Sequence, residues 1–309
     1  MSKSRGILKR VLSNRLSTLA AGVLAAYLAV GAMAEGYAVY CHASGTTPIY
    51  KRGEMAERYS PPSPRHWMGT DYAGKDVFWK ALFAIRTALK IGFIGSALAS
   101  AIGLTLGVLA GYFGGKTDAV VTWIYSVFAS IPTLLFILAF ALLLRRGFLS
   151  PKLEIMFDSI SETLGTDPGM MALYLGIGMT GWVGLCKVAR GEAARLKNGA
   201  YIQAAKTIGV STPAIILRHL IPNLLHVVIV FFTIRFAYAI MTEVIVSYLG
   251  LGVQLEPSWG VMISHGQQRL WRGVWWEVGA ATSFMFFLVL SLHVIGDALR
   301  DALDPRLKR

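Results

Sequence analysis

The sequence predicts an all-α integral membrane protein with six transmembrane helices, and three observations support this fold class. Of the 309 residues, 55% are hydrophobic, and the mean hydropathy of +0.55 is too high for an ordinary soluble domain. Six apolar segments are each long enough to cross about 30 Å of hydrocarbon as a helix. Helices are expected because lipid offers no partners to the edge of an open strand. The segments are 16–34, 88–112, 119–144, 169–186, 222–250 and 278–296.

These segments divide the chain into two parts. Residues 1–87 hold one span and an extracytoplasmic loop, and residues 88–309 form the membrane core. The net charge of +13 does not indicate nucleic-acid binding, because the basic residues are dispersed among loops. In membrane proteins Lys and Arg concentrate in the short cytoplasmic segments. Their density in this chain predicts that both termini lie inside the cell.

The first apolar segment has two interpretations. Its basic start, apolar middle and Ala32-Met33-Ala34 ending also fit a cleavable signal peptide. The apolar run is longer than a usual signal core, however, and this favours a retained helix.

The loop after the first span contains HWMGTDYAGKDV at residues 66–77. Its glycines and aspartates are typical of tight turns that lead into a helix, so an ordered loop is the main prediction. A metal site made by His66, Asp71 and Asp76 is the alternative. The two cysteines, Cys41 and Cys186, lie in different regions and indicate neither a disulfide nor a metal site.

The second span carries a small residue at every fourth position, which predicts close packing of another helix against that face. These residues are Gly95, Ala99, Gly103, Gly107 and Gly111. The span ends in AGYFGGKT, residues 110–117, which fits a loose Walker A pattern. A phosphate loop also needs a preceding strand and an acidic strand end for magnesium. Apolar runs flank this segment instead, so we predict that Lys116 binds no nucleotide.

Three residues inside predicted spans are candidates for a transport pathway or gate. Pro132 is expected to kink the third span, because proline removes a backbone donor. Arg235 and Glu243 are ionisable groups at membrane depth, which should face the bundle interior or water. They lie about two helical turns apart, too far for a direct pair. Each is therefore expected to have its partner on another helix or subunit.

A polar, basic stretch follows the fourth span. A short helix is predicted over residues 201–208, ended by Gly209, which accepts the left-handed conformation of a helix C-terminus. A second short helix should follow, with Ser211 or Thr212 as its cap and Pro213 in its first turn. Pro222 is expected to break the helical pattern just before the fifth span.

Four motifs resemble the C-type permease of the dipeptide/oligopeptide/nickel family of ABC importers. Residues 203–222 resemble the EAA loop, with Gln203 in place of the usual Glu. The literal Glu192-Ala193-Ala194 upstream lacks the glycine that the motif requires six residues later. The other three stretches are 66–77, 247–260 and 296–306, which resemble H-x-x-G-T-D-x-x-G-[RK]-D-V, S-F-L-G-L-G…P-S-W-G and G-D-x-L-R-D-x-L-D-P-R. In the 247–260 stretch, Trp259 is expected to anchor a proline turn at the membrane interface.

The resemblance implies the permease subunit of a type I ABC importer, a multi-pass protein of the inner membrane without catalytic residues. Its implied partners are two ATPase subunits that bind ATP and magnesium, a homologous second permease and an extracytoplasmic solute-binding protein. No cofactor is expected on this chain. The coupling segment, residues 187–221, is expected to dock on the ATPase. The implied docking residues in and next to this segment are Gln203, Ala204, Ala205, Gly209, Pro213, His219 and Pro222.

Peptides or a related small solute are the implied cargo. An ion-coupled secondary transporter that uses Arg235 and Glu243 is the alternative from another functional class. Neither an internal repeat nor a second interrupted span in the sequence favours it. The resemblance itself favours a structural or gate-forming role for Glu243 over a proton relay.

Overall fold

The computed structural model describes residues 11, 14–145, 151–163, 166 and 168–303. Apart from two isolated β-bridges in the loop after the first helix, the regular elements in these ranges are helical, which confirms the predicted fold class. The α-helices are α1 (Arg15–Ser44), α2 (Val77–Phe113), α3 (Gly115–Ser130), α4 (Thr133–Arg145), α5 (Pro151–Thr163), α6 (Pro168–Gly181), α7 (Val183–Leu196), α8 (Ala200–Thr207), α9 (Thr212–Ile215), α10 (Ile221–Tyr248), α11 (Trp259–Gln267) and α12 (Trp276–Leu303).

Each of the six predicted spans has a counterpart in the described chain. Five helical segments are long and apolar enough to cross a membrane. The third predicted span corresponds to α3 and α4, which together pass the same test but are bent by 88°. The orientation of the termini stays a prediction. The five single segments are Arg15–Ser44, Val77–Phe113, Pro168–Leu196, Thr212–Tyr248 and Trp276–Leu303.

The third span is broken rather than kinked, so the prediction of one bent helix over 119–144 was wrong. A proline disfavours the helical conformation of the residue before it. Ile131 accordingly adopts an extended conformation, with φ −93° and ψ 127°, and α3 ends there. Helix α4 then begins at Thr133 in a new direction. Pro132 therefore separates two helices that meet almost at a right angle.

Helix α2 is the centre of the bundle, and its small residues explain how closely α6 and α7 approach it. A Cβ atom at Gly107 would lie 2.7 Å from the carbonyl oxygen of Cys186 on α7. One at Gly111 would collide with the carbonyl oxygen of Arg190, one helical turn further along. The predicted packing face is confirmed, and glycine is required there because the backbones touch.

Helix α1 packs against α2 and α12. The Tyr27 hydroxyl donates to the carbonyl of Phe284 on α12 at 2.8 Å. Glu35 accepts hydrogen bonds from Arg86 and, at 2.8 Å, from Lys90, both on α2. The helix continues through Ala34 to Ser44. Retention of this segment in the mature protein stays a prediction.

Two predicted features lie partly outside the described residues. The connection between the third and fourth predicted spans contains helix α5, while residues 146–150, 164–165 and 167 are not described. The C-terminal motif at 296–306 is described as far as Leu303, where it forms the last turns of α12.

Candidate functional site

The first half of the coupling segment folds almost as predicted. Helix α8 covers Ala200–Thr207 and ends at Gly209, whose φ of +81° is left-handed. The N–H groups of Gly209 and Val210 donate to the carbonyls of Lys206 and Ala205, both at 3.0 Å, which satisfies the free end of the helix. A Cβ atom at Gly209 would meet no other atom within 4 Å. The glycine is therefore required by the backbone conformation and not by crowding.

The second half of the segment does not break where the sequence predicts. Ser211 precedes α9, and Pro213 lies in its first turn, as expected. Residues Ile216–Leu220 then form a π-helical turn, and the backbone stays helical from Thr212 to Tyr248. A proline inside an α-helix lacks a donor and clashes with the preceding turn. The wider π turn accommodates Pro222, so the predicted break was wrong.

A buried apolar cluster holds the coupling segment against α2 and α7. Its members from the segment or just beyond it are Ala193, Ile202, Ala205, Ile215, Leu220 and Leu224, which pack with Val108 of α2. The Gln203 Nε2 atom also donates to the carbonyl of Lys197 at 3.0 Å and so closes the turn before α8. A glutamate carboxylate could not donate this hydrogen bond. The glutamine that replaces the usual glutamate of the motif therefore stabilises this turn.

The opposite side of the segment is exposed and partly apolar. Ile208 is 79% exposed, and Leu217 is 63% exposed. His219 is half-buried, and its ring lies 6.3 Å from that of Tyr201. Five of the other docking candidates are exposed, namely Gln203, Ala204, Gly209, Pro213 and Pro222. The remaining candidate, Ala205, is buried. Ala205 therefore anchors the segment to the core, five candidates face solvent, and His219 lies between these two groups.

The Walker-like sequence is a turn between two helices. Gly114, with φ +68°, separates α2 from α3, so a helix and not a strand leads into it. Asp118 pairs with Arg190 of α7 through two hydrogen bonds, of which that from Nη2 measures 2.6 Å. The geometry of a phosphate loop is absent, and Asp118 links this turn to the base of the coupling segment.

Glu243 is buried, with 1% of its surface exposed, and its partners are hydroxyl groups. Ser247 Oγ on the same helix donates to Glu243 Oε1 at 2.8 Å, and Ser258 Oγ donates to the same oxygen at 2.6 Å. Ser258 also caps α11, accepting from the N–H of Gly260 at 3.1 Å. The expectation of a partner on another helix is therefore confirmed only in part, because Ser247 lies on α10 itself and Ser258 lies at the start of α11. Glu243 connects α10 to the beginning of α11.

Trp259, next to Ser258, is a core residue. It is fully buried, and its indole Nε1 donates to the carbonyl of Ala81 on α2 at 3.0 Å. The expectation that it anchors the turn at the membrane interface was wrong. A buried indole needs a hydrogen-bond acceptor, and the α2 backbone provides one.

As predicted, Arg235 and Glu243 form no direct pair. The Arg235 guanidinium lies 6.0 Å from the ring of Tyr238 and faces the junction of α6 and α7 near Gly184. Arg235 lines a small cavity together with Thr133, which follows Pro132, and Thr242, which precedes Glu243. Neither Pro132 nor Glu243 is among the residues that line this cavity. The structure therefore places one of the three pathway candidates at the cavity and the other two next to residues that line it.

The motif at residues 66–77 builds an ordered loop. Asp76 Oδ1 caps α2 by accepting from the N–H groups of Phe78 at 2.9 Å and Trp79 at 3.3 Å. His66 lies between two carboxylates, 2.8 Å from Asp76 and 3.3 Å from Glu57. In the described part of the chain, no group of three His, Cys, Asp or Glu residues is placed to hold a metal.

Sequence reasoning missed a buried ion cluster above the membrane core. Lys80 Nζ on α2 donates to Asp71 at 2.6 Å and to Glu277 on α12 at 3.0 Å. A second network joins Arg86 to Glu35 and, at 2.9 Å, to Glu256. The available signal was the presence of charged residues inside apolar runs at the starts of helices. Their pairing across the sequence had no local signal.

His265 of α11 lies near the ion cluster. Burial, and to a smaller extent the ammonium group of Lys80, lower the pKa of His265. The imidazole is therefore neutral near pH 7, and its ring packs edge-on against Tyr72 with 5.0 Å between centroids. This contact belongs to the packing of the loop between α1 and α2 on α11.

Comparisons with known proteins agree with these motifs. Residues 103–309 match the family described as "Binding-protein-dependent transport system inner membrane component". The chain is 34% identical over 259 residues to the dipeptide transport system permease protein DppC of Bacillus subtilis, covering 84% of this chain and 74% of that protein. It is 31% identical over 249 residues to the glutathione transport system permease protein GsiD of Pectobacterium atrosepticum, covering 80% and 75%.

A solved structure supports the fold. The chain is similar to one from the inward-facing MetNI methionine ABC transporter, with a TM-score of 0.50 and 17% sequence identity. The match covers 73% of this chain and 97% of the other. At this identity the likeness concerns the arrangement of helices alone.

Proposed function

Because the chain belongs to the family of inner membrane components of binding-protein-dependent transport systems, we propose that it moves peptides or a related small solute across the membrane. In this role it is the permease subunit of an ATP-driven importer. The names of its relatives, which include dipeptide and oligopeptide permeases, support a peptide cargo. Two separate ATPase subunits bind ATP with magnesium and hydrolyse the ATP. A second permease and an extracytoplasmic binding protein complete the transporter.

One observation carries the proposed contact with the ATPase. Exposed Ile208 and Leu217 lie on a segment whose other side is fixed to the core by a buried cluster. Large exposed apolar side chains on a polar, basic segment indicate an interaction site. Because the segment is held in place, force applied to its exposed side acts on the membrane helices.

Co-purification tests this proposal directly. The affinity-tagged chain, expressed with its candidate partner subunits, should elute together with the ATPases. Ile208→Asp combined with Leu217→Asp should remove the ATPases from the eluate, because a charge then replaces each apolar contact.

Ile155→Asp is the matched control, since Ile155 on α5 is 70% exposed and equally apolar. This variant should elute like the unchanged protein. The proposal fails if the ATPases never co-elute, or if the coupling-segment variant and the control bind them equally well.

A further inference from the structure

A small cavity lies beside the break between α3 and α4. Its volume is about 10 Å³, and residues of α2, α4, α6 and α10 line it. Its mouth reaches the surface of the chain, because the lining residues Thr133 and Tyr238 are exposed. A cavity of this size holds a single water molecule, so a larger ligand makes its contacts at the mouth.

Arg235 is a cation at this cavity without an anion. Its side chain is partly buried, and no carboxylate of the described residues lies within 4.0 Å of its guanidinium nitrogens. The ring of Tyr238 is its nearest charge-stabilising contact. Removing a guanidinium from water inside a membrane protein is costly unless a negative group compensates it. The cavity therefore favours an anion at its mouth.

A second, independent observation is an unused hydroxyl group. Ser96 of α2 lines the same cavity, is fully buried, and its Oγ atom has no hydrogen-bond partner among the described residues. Buried hydroxyls without partners are uncommon because they lose the hydrogen bonds that water would provide. The neighbouring Thr180 and Thr242 differ, since both donate at 2.8 Å to carbonyls of their own helices.

The break at Pro132 adds a third favourable group. Helix α4 begins at Thr133, which lines the cavity, and runs for 13 residues. The first N–H groups of a helix have no acceptor within it, and its N-terminus carries partial positive charge. Arg235, Ser96 and the first residue of α4 thus line one cavity, and each offers a group that prefers a negatively charged oxygen. Because Ser96 is fully buried and the cavity holds a single water molecule, its hydroxyl reaches an anion at the mouth through that water.

We propose that this constellation binds a carboxylate group of the transported peptide as it passes through the membrane. The inference rests on the proposed function and adds a recognition site to it. A peptide with free ends carries a terminal carboxylate, which an arginine contacts through two parallel hydrogen bonds. Tyr238 and Thr133 leave the approach open from the surface of the chain. Pro132 contributes by ending α3, so that the start of α4 faces Arg235.

The test is ligand-dependent stability of the full chain in lipid nanodiscs. Millimolar dialanine should raise the midpoint of thermal unfolding, because a ligand that binds only the folded state stabilises it. Dialanine amide, which lacks the carboxylate, should leave the midpoint unchanged at equal ionic strength. Arg235→Gln should abolish the effect of dialanine, and Arg235→Lys should keep part of it.

Lys187→Gln is the matched control. Lys187 on α7 is also a cation that lies over a tyrosine ring, 5.1 Å from Tyr125, but it does not line the cavity. This variant should respond to dialanine like the unchanged protein. If Arg235→Gln fails to fold, Arg235→Lys and Ser96→Ala carry the test, and both should show a reduced response.

Four results would overturn the inference. The amide could stabilise the chain as well as dialanine does, or Arg235→Gln could respond fully. Sodium chloride alone could also give the whole effect, which would mean an adventitious ion only. The fourth is the absence of any dialanine effect on the unchanged chain. Co-elution of the ATPases does not depend on Arg235, so failure of the proposed function is seen separately.

Discussion

Substitutions of Glu243 distinguish most sharply between an ATP-driven permease and an ion-coupled transporter. The Oε1 atom of Glu243 accepts from Ser247 at 2.8 Å and from Ser258 at 2.6 Å, in a site that is 1% exposed. Glu243→Leu removes the acceptor for both hydroxyls, and each unsatisfied buried group costs about 1–3 kcal/mol. The free energy of unfolding should therefore fall by about 2–6 kcal/mol.

Glu243→Gln should be much milder. The amide keeps one oxygen that can accept from both serine hydroxyls. The free energy of unfolding of Glu243→Gln should therefore fall by only about 1 kcal/mol, the net value of one hydrogen bond. The Gln variant should retain substantial uptake, whereas the Leu variant should lose most of it as α11 detaches from α10. The difference between the two variants measures the value of the acceptor oxygen and not of the charge.

The assay uses vesicles that contain the complete transporter, with ATP held constant and an uncoupler present. Uptake of labelled dipeptide should follow ATP and be insensitive to the proton gradient, and thermal unfolding of the purified variants gives the stabilities. If uptake collapses with the gradient at constant ATP, and Gln is as inactive as Leu, Glu243 carries protons. The reasoning from its hydroxyl partners would then be refuted.

Three further predictions concern other parts of the chain. Gly209→Val should cost about 1–2 kcal/mol, because φ is left-handed there, and should reduce the coupling of ATP hydrolysis to uptake. Gly36→Val, at an exposed position of α1 outside the coupling segment, is its control, and equal coupling in both variants would contradict the requirement for glycine. Lys116→Ala should leave ATP-dependent uptake intact, whereas ATP photolabelling of this chain that disappears in the variant would show a nucleotide site. Lys80→Met should lower stability by about 3–5 kcal/mol, because two buried carboxylates lose their cation. Lys75→Met, whose lysine pairs with no described carboxylate, should change the unfolding midpoint little, and similar losses in both would argue against the cluster.

Features that depend on local sequence could be predicted. The six apolar runs follow from hydropathy, and the left-handed Gly209 follows from the chemistry of helix ends. The small residues of α2 gave the face on which another helix packs, since their spacing keeps them on one side. None of these requires knowledge of which distant residues come together.

The two prolines show where such reasoning ends. Pro132 stops a helix and turns the chain by 88°, whereas Pro222 sits in a helix that continues around it. The same residue has opposite outcomes because a π turn before Pro222 supplies the missing space, and this depends on packing. The Lys80–Glu277 pair joins residues 197 positions apart, for which the sequence holds no local signal.

The unbroken helix from Thr212 to Tyr248 has a mechanical consequence. Its 37 residues give a rod of about 55 Å at about 1.5 Å per residue, longer than the membrane is thick. One end carries the exposed Leu217, and the other carries Glu243 with its bond to α11. Rotation of such a rod by about 10° about one end would shift the other by about 10 Å, with the length taken from the helical rise. A force applied near Leu217 is thus transmitted to the Glu243 end through one continuous helix, which contains a π turn at Ile216–Leu220.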